Sequence, residues 1–366
     1  MTGSYSLFDP IQLGAISAPN RVLMAPLTRG RSGPGHVPQS DLKAEYYAQR
    51  ASAGLIIAEA TGISREGLGW PNAPGIWSDE QVAAWKPVTE AVHAAGGRII
   101  LQLWHMGRLV HPDFLDGSPP VSASATTAGG YAHTPTGKKD YAQARALEIG
   151  EIARIIADYV HAAQNAIAAG FDGVQIHAAN GYLIDQFLRD SSNLRTDDYG
   201  GAIENRIRLL REVVQAVADA VGAGRTSVRL SPNGETQSCD DSNPIALFTA
   251  AAAALQDIGI AFLELREQKD YGNFGRTDVP RISPDIRKVF HGPLILNQEY
   301  DRASADADLA AGLCDAISFG RPYISNPDLT EKLRDHADLT PDDYKSWYSE
   351  GAEGYTDYPV RSVQAA

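Results

Sequence analysis

The chain has 366 residues and a formal net charge of −13, with 43% hydrophobic and 21% charged residues and with 34 Gly and 21 Pro spread along its length. This composition excludes a disordered or fibrous chain, and an acidic balance without clustered Lys and Arg excludes nucleic acid and an anionic membrane surface as partners. Cys239 and Cys314 lie far apart, with neither a C-x-x-C nor a Cys/His ligand spacing, so neither a disulfide framework nor a zinc site is expected and a reducing cytoplasm fits.

The opening MTGSYSLFDP has no basic region leading into an apolar stretch. No uninterrupted apolar run approaches the ~18 residues of a spanning helix, so an unexported, membrane-free protein is expected. The segment SLFDPIQLGAISAPNRV alternates around Gly14 as a short hairpin suited to plug a barrel floor. Short β-branched runs then recur at Arg21 to Met24, Leu55 to Ala58, Arg98 to Leu103, Gly173 to His177, Ser227 to Leu230, Phe262 to Leu265, Leu294 to Leu296 and Ala316 to Phe319. Between most of them apolar residues fall at helical spacing, as at Ile152, Ile155, Ile156, Tyr159, Ala163 and Ile167. Several of these helices end at a glycine placed for a left-handed C-cap: Gly54, Gly96 with Gly97, Gly170, Gly259 and Gly312.

Alternating strands and helices predict a parallel α/β sheet, and eight strands close a (β/α)8 TIM barrel. An open doubly wound sheet is the alternative, but no G-x-G-x-x-G follows any strand. A single barrel domain over 1–366 is predicted. Two intervals exceed a simple crossover, Met106 to Leu147 and Arg189 to Asn205; post-strand loops of a barrel gather at the face where chemistry is done, so they are candidate lids or substrate walls. The aromatic segment 341–366, with Trp347, Tyr348, Tyr355 and Tyr358, is expected to pack on the barrel.

Polar residues at the ends of apolar strands need partners, because burying one alone costs about 1–3 kcal/mol. Such residues are Thr28, Gln102 with Trp104, His177 with Asn180 and Tyr182, Arg229 and Arg321. His177, Asn180 and Tyr182 would set two hydrogen-bond donors and a phenol at the barrel mouth, where one oxygen could meet both donors. Taken alone, an H-x-x-N of this kind better describes a histidine and an asparagine capping the next helix.

The wider context carries a resemblance. The run HAANGYLIDQFLRDSSNLRTDDYGG, continuing to Glu204-Asn205-Arg206, resembles the signature segment of the old yellow enzyme family. It is joined by MAPLTR at Met24 to Arg29, EAT at Glu59 to Thr61, QLWHMGR at Gln102 to Arg108, VRLSP at Val228 to Pro232, FGRP at Phe319 to Pro322 and GYTDYP at Gly354 to Pro359. Among members the chain looks most like bacterial 2-cyclohexenone or N-ethylmaleimide reductases. The resemblance implies an FMN-dependent ene-reductase. NADPH or NADH gives hydride to the flavin in one half-reaction, and an enone, maleimide or nitroalkene receives it in the other, in a ping-pong cycle. A monomer or homodimer is implied.

By residue, the resemblance places Pro26, Thr28, Ala60 and Gln102 on the flavin ring. Arg229 falls at the N1/C2=O edge, where a fixed cation would favour the anionic reduced form. Gly320 and Arg321 fall on the phosphate. It makes His177 and Asn180 the substrate-oxygen pair and Tyr182 the proton donor, with Trp104, Trp70 and Tyr348 lining the substrate side. Core packing for the two tryptophans and a surface ion pair for Arg321 are the alternative readings.

Two departures limit the transfer. Many members carry glycines in the seventh post-strand loop, where this chain reads LNQEY at Leu296 to Tyr300; Gln298 and Glu299 would still offer N–H groups there. The loop from Gln268 to Gly275, with Tyr271, is too divergent to align. Thr28 stands where one subclass has a cysteine, which removes any redox role for a thiol. The rival readings are a metal-dependent or phosphosugar barrel enzyme using His177, His105 and Glu59, and a flavin-binding protein without turnover.

Overall fold

Eight parallel strands close on themselves in the computed structural model, which describes residues 5–269 and 277–359. A hairpin comes first, β1 (Ile11–Leu13) and β2 (Ile16–Ala18). The barrel strands are β3 (Val22–Met24), β4 (Ile56–Gly62), β5 (Ile99–Trp104), β10 (Val174–His177), β11 (Thr226–Leu230), β12 (Leu263–Arg266), β13 (Leu294–Asn297) and β14 (Ala316–Phe319). Between β5 and β10 lie the short strands β6 (Val121–Ser122), β7 (Tyr131–Thr134), β8 (Gly137–Asp140) and β9 (Arg145–Ala146). The barrel strands run in chain order around the ring, as the eight apolar runs predict. The open-sheet alternative is thereby removed.

Each barrel strand is buried on both faces, and the helices that cover the outside are amphipathic or small-residue-rich. In the helix Ile149–Ala168, Ile152, Ile155, Tyr159 and Ala163 are fully buried and Asp158 faces outward at intermediate exposure. The hairpin turns at Gly14 (φ 59°), where a Cβ would lie 2.3 Å from the carbonyl oxygen of Gly224. Leu13, Ile16 and Ala18 then pack against Leu23, Ile57, Ile100, Phe262, Ile295 and Ala316, sealing the floor.

The helix-ending glycines divide into two kinds. Gly96, Gly170, Gly259 and Gly312 take positive φ as expected. Gly54 and Gly97 do not: a Cβ on Gly54 would meet the Asn20 carbonyl at 2.1 Å, and one on Gly97 would meet Ala51 and Val92 at 2.9 Å. Both are glycine for close packing and not for handedness.

The excursion between Met106 and Leu147 contains a β7–β8 hairpin whose outer strand is fully exposed. The C-terminal segment is clamped onto the barrel by two buried arginines. Arg29 donates to the carbonyls of Trp347 (3.1 Å) and Gly354 (2.6 Å), and Arg31 to those of Trp347 (2.8 Å) and Glu353 (2.9 Å). Tyr355 stacks on Tyr46 with centroids 3.9 Å apart. Among the described residues no helix is long and apolar enough to cross a membrane.

Candidate active site

Side chains alternate in and out along a strand, so each floor residue fixes what stands above it. Two positions on from Ile100, Phe262 and Ala316 come Gln102, Glu264 and Ser318, and these join into a buried hydrogen-bonded layer. Gln102 and Gln175 are register partners on β5 and β10. Glu264 accepts from Gln175 Nε2 (2.8 Å) and from Ser318 Oγ (2.5 Å), and Gln175 Oε1 in turn accepts from Gln102 Nε2 (2.7 Å). A carboxylate only accepts, so the polarity of the chain is set from Glu264 outward and leaves Gln102 Oε1 as an acceptor for a ligand N–H.

The next inward layer is cationic and aromatic. Arg229 Nη2 donates to Asn297 Oδ1 at 2.6 Å, with Nε 3.6 Å from Glu264 Oε2 and without a hydrogen bond. Arg266, on the same strand as Glu264, donates from Nε to Gln298 Oε1 and from Nη1 to Asn180 Oδ1, both at 3.0 Å. Burial and the neighbouring Arg229 pull Arg266 down to about 10, so it remains a cation at neutral pH.

The turn after β10 is held from behind. A buried Asp185–Arg189 ion pair takes the Gly181 N–H on Asp185 Oδ2 (2.8 Å), and Arg189 donates to the Ser231 and Gly234 carbonyls. Asn180 sits in the left-handed region (φ 61°), its N–H donating to Ser231 Oγ at 2.8 Å. His177, Tyr182 and Trp104 form a train of edge-to-face rings, 4.9 Å between the first pair of centroids and 5.0 Å between the second. Burial, then Arg229 and Arg266, hold the His177 imidazole well below its usual range, so it is neutral. Burial pushes the Tyr182 phenol up, so it keeps its proton throughout the physiological range.

A cavity of about 530 Å³ opens above these layers. Pro26, Thr28, Asn180, Arg229, Gln298 and Gly320 line it, together with Arg321 and Tyr348. Ala60, Gln102, Trp104, His177, Tyr182 and Trp70 are not in its wall. Of these, Ala60 packs with Trp104 and Leu68, and Trp70 stands on the rim between His133 of the β7–β8 hairpin (5.2 Å) and Tyr348 (5.5 Å). At one end Arg321 pairs with Glu299 at 2.6 Å, and there Gln298 (φ 105°) and Glu299 (φ 51°) occupy backbone conformations that favour glycine. The non-glycine sequence of this loop therefore does not prevent the left-handed path. Tyr271 lies outside the described residues.

The metal reading loses its geometry. Glu59 falls at a register shift in β4, between Ala58 and Thr61, and is buried in an ion pair with Lys43 behind the barrel wall. His105 Nδ1 accepts the Gly107 N–H at 3.1 Å. Among the described residues no three His, Cys, Asp or Glu side chains are grouped to hold a metal ion.

Sequence reasoning missed Gln175, Glu264, Arg266 and Asn297. The available signal was a charge inside an apolar strand: Leu263-Glu264-Leu265-Arg266 places both charges on the inward face at period two.

A closed barrel with a cationic mouth, an acceptor amide below and an arginine with left-handed loop backbone at one end defines a barrel that takes a flat polar ring bearing an anionic tail. The comparisons place it: residues 6–340 match the NADH:flavin oxidoreductase / NADH oxidase family, and the chain belongs to that family, the old yellow enzymes. It is similar to the solved old yellow enzyme homologue from Zymomonas mobilis, 59% identical with a TM-score of 0.96 over 98% of this chain and 100% of that one. It is also similar to morphinone reductase solved with tetrahydroNAD, 46% identical with a TM-score of 0.92 over 98% of each chain. A curated relative is 12-oxophytodienoate reductase 1 of Oryza sativa subsp. japonica, 41% identical over 96% of this chain and 92% of that protein. The cofactor is FMN, with a nicotinamide cosubstrate. The cavity fits it: a mononucleotide needs a cation for its ring and a cation with backbone N–H groups for its phosphate, and Arg229, Arg321 and the 298–299 loop in the wall are of those types, with the Gln102 amide in the layer beneath.

Proposed function

We propose that the protein reduces C=C bonds conjugated to a carbonyl or nitro group, in enones, maleimides and nitroalkenes, at the expense of NADPH or NADH, and that 1–366 act as one barrel domain, a monomer or homodimer working in the cytoplasm. When bound, FMN supplies the two-electron relay between nicotinamide and alkene, which occupy one site in turn and so give ping-pong kinetics. The observation that carries this reading is the edge-to-face contact of His177 with a protonated Tyr182, in the same post-strand turn whose Asn180 lines the cavity.

In this reading Pro26, Thr28, Ala60, Gln102 and Arg229 hold the flavin ring, and Gln298, Gly320 and Arg321 its phosphate. His177 and Asn180 donate to the substrate oxygen and polarise the double bond toward it, as oxyanion donors do. A neutral imidazole donates through one nitrogen only, so His177 serves as a donor and not as an acid. Tyr182 Oη holds the proton that the α-carbon receives, and Trp104, Trp70 and Tyr348 exclude water around the alkene. The net reaction consumes one nicotinamide hydride and one proton per double bond.

Anaerobic titration of the yellow protein with NADPH and then with 2-cyclohexenone tests the reading. Flavin absorbance should bleach with the first and return with the second. Bleaching without recovery would leave a flavin-binding protein that lacks this turnover.

A further inference from the structure

Asn180 owes its place to its backbone, with φ 61° and the N–H on Ser231, but a backbone does not choose which way a side-chain amide faces. Exchanging O and N of an amide changes its shape little, so the neighbours decide. The neighbour here is Arg266, whose Nη1 lies 3.0 Å from the Asn180 amide. A guanidinium has five donors and no acceptor, so the atom it touches has to be the carbonyl oxygen. Nδ2 is then the end left for the cavity that Asn180 lines. Arg266 is itself fixed by Gln298 Oε1 at 3.0 Å and by its position at the end of β12, 7% exposed. Placing it beside Arg229 is unfavourable, since two buried like charges repel and an apolar side chain of similar volume would avoid the desolvation.

We propose that Arg266 is a positioning residue that locks the Asn180 amide with its N–H pointing at the substrate oxygen. This makes Asn180 an obligate donor, and selects substrates whose polar atom accepts, carbonyl and nitro oxygens, over those that present an N–H or O–H there. The inference rests on the substrate-oxygen role given to His177 and Asn180 above.

The test uses FMN-loaded protein and 4-nitrophenolate, an aryl oxyanion that only accepts, with affinity measured by calorimetry at a pH where the probe is ionised. Arg266→Gln can present its own carbonyl and let the amide turn over, so binding should weaken about tenfold, the size of one charge-assisted hydrogen bond. Arg266→Lys keeps a donor-only cation and should stay within about threefold of the parent. Asn180→Gly deletes the amide at a φ that glycine adopts freely, and in that background Arg266→Gln should cost no more than about twofold, because the two residues act as one unit.

Equal losses for the Gln and Lys variants, or full additivity with Asn180→Gly, would reduce Arg266 to a packing role and overturn the inference. If Asn180→Gly weakens binding and Arg266→Gln does not, the inference fails while the oxygen site stands. If Asn180→Gly changes nothing, the oxygen site itself is misplaced and the inference falls with it. Should Arg266→Gln shed FMN, the Lys variant decides: a tenfold loss there, with FMN retained, overturns the proposal.

Discussion

At the floor of the barrel the inward positions are Leu23, Ile57, Ile100, Phe262, Ile295 and Ala316, capped by Leu13 and Ile16; further along four of the same strands the inward positions are Gln102, Glu264, Asn297, Ser318 and Arg266. The two ends share backbone geometry and differ in what their side chains must do. The floor is stabilised by apolar burial, which tolerates any shape that fills the space. The mouth carries amides, a carboxylate and two guanidiniums in low dielectric, where each polar atom has to find a partner or a ligand. β4 shows how the strand pattern is broken when required: the position two on from Ile57 is Glu59, and the extra residue at the register shift turns it out to Lys43 and lets Ala60 pack beside Trp104 instead. Stability and chemistry should therefore separate by position along a strand.

Tyr182→Phe is the largest expected effect at the mouth. It removes one hydroxyl and keeps the ring that packs against His177 and Trp104. Reoxidation by 2-cyclohexenone should slow by ~10²–10⁴-fold, the usual contribution of a general acid, while the reductive half-reaction and the melting temperature hold. A nitroalkene should lose less, since its nitronate product is protonated by water. Stopped-flow traces in which both half-reactions slow equally would put Tyr182 with the structural residues.

Leu13→Ala is the floor counterpart. Leu13 is fully buried in the hairpin plug, and truncating it should cost ~2–5 kcal/mol in denaturant unfolding while FMN content and both half-reaction rates stay as they were. A change in rates at constant FMN would show that the two ends are coupled and break the comparison. Smaller still should be Arg321→Ala, which removes one cation from the phosphate end and should weaken FMN retention by about tenfold. The Glu299 carboxylate now beside Arg321 would then face the phosphate without its counter-charge. Equilibrium dialysis showing undiminished affinity would free Arg321 from that role.

How far the sequence reveals this division follows from the same physics. The eight strands are legible because burial on both faces demands continuous apolar runs. The signature around His177, Asn180 and Tyr182 is legible because several polar residues crowd one strand end. Glu264 and Arg266 were passed over because single polar residues inside an apolar run read as tolerated exceptions until the ring closes and brings β10, β11, β12 and β13 side by side. Gln298 and Glu299 conceal their backbone conformation, since neither is a glycine. Gly54 misleads in the opposite direction, its absent Cβ serving the Asn20 contact.

The smallest effect is in pH, and its sign follows from burial. His177 and His105 are both held below the usual histidine range, His105 at about 3, with burial the leading cause in each. A group with a depressed folded pKa is neutral in the folded chain and protonates near pH 6.5 in the unfolded one. The unfolded state then binds more protons as pH falls through that value, so stability should be intact at pH 7.5 and decline on acidification. Each imidazole should withdraw about 1 kcal/mol between pH 6.5 and 5.5. Replacing either His177 or His105 with Asn should flatten the slope by one share, and only the His177 replacement should also change phenolate binding, because only that ring stands at the mouth. A slope that neither substitution alters would assign the acid sensitivity to groups other than these two imidazoles.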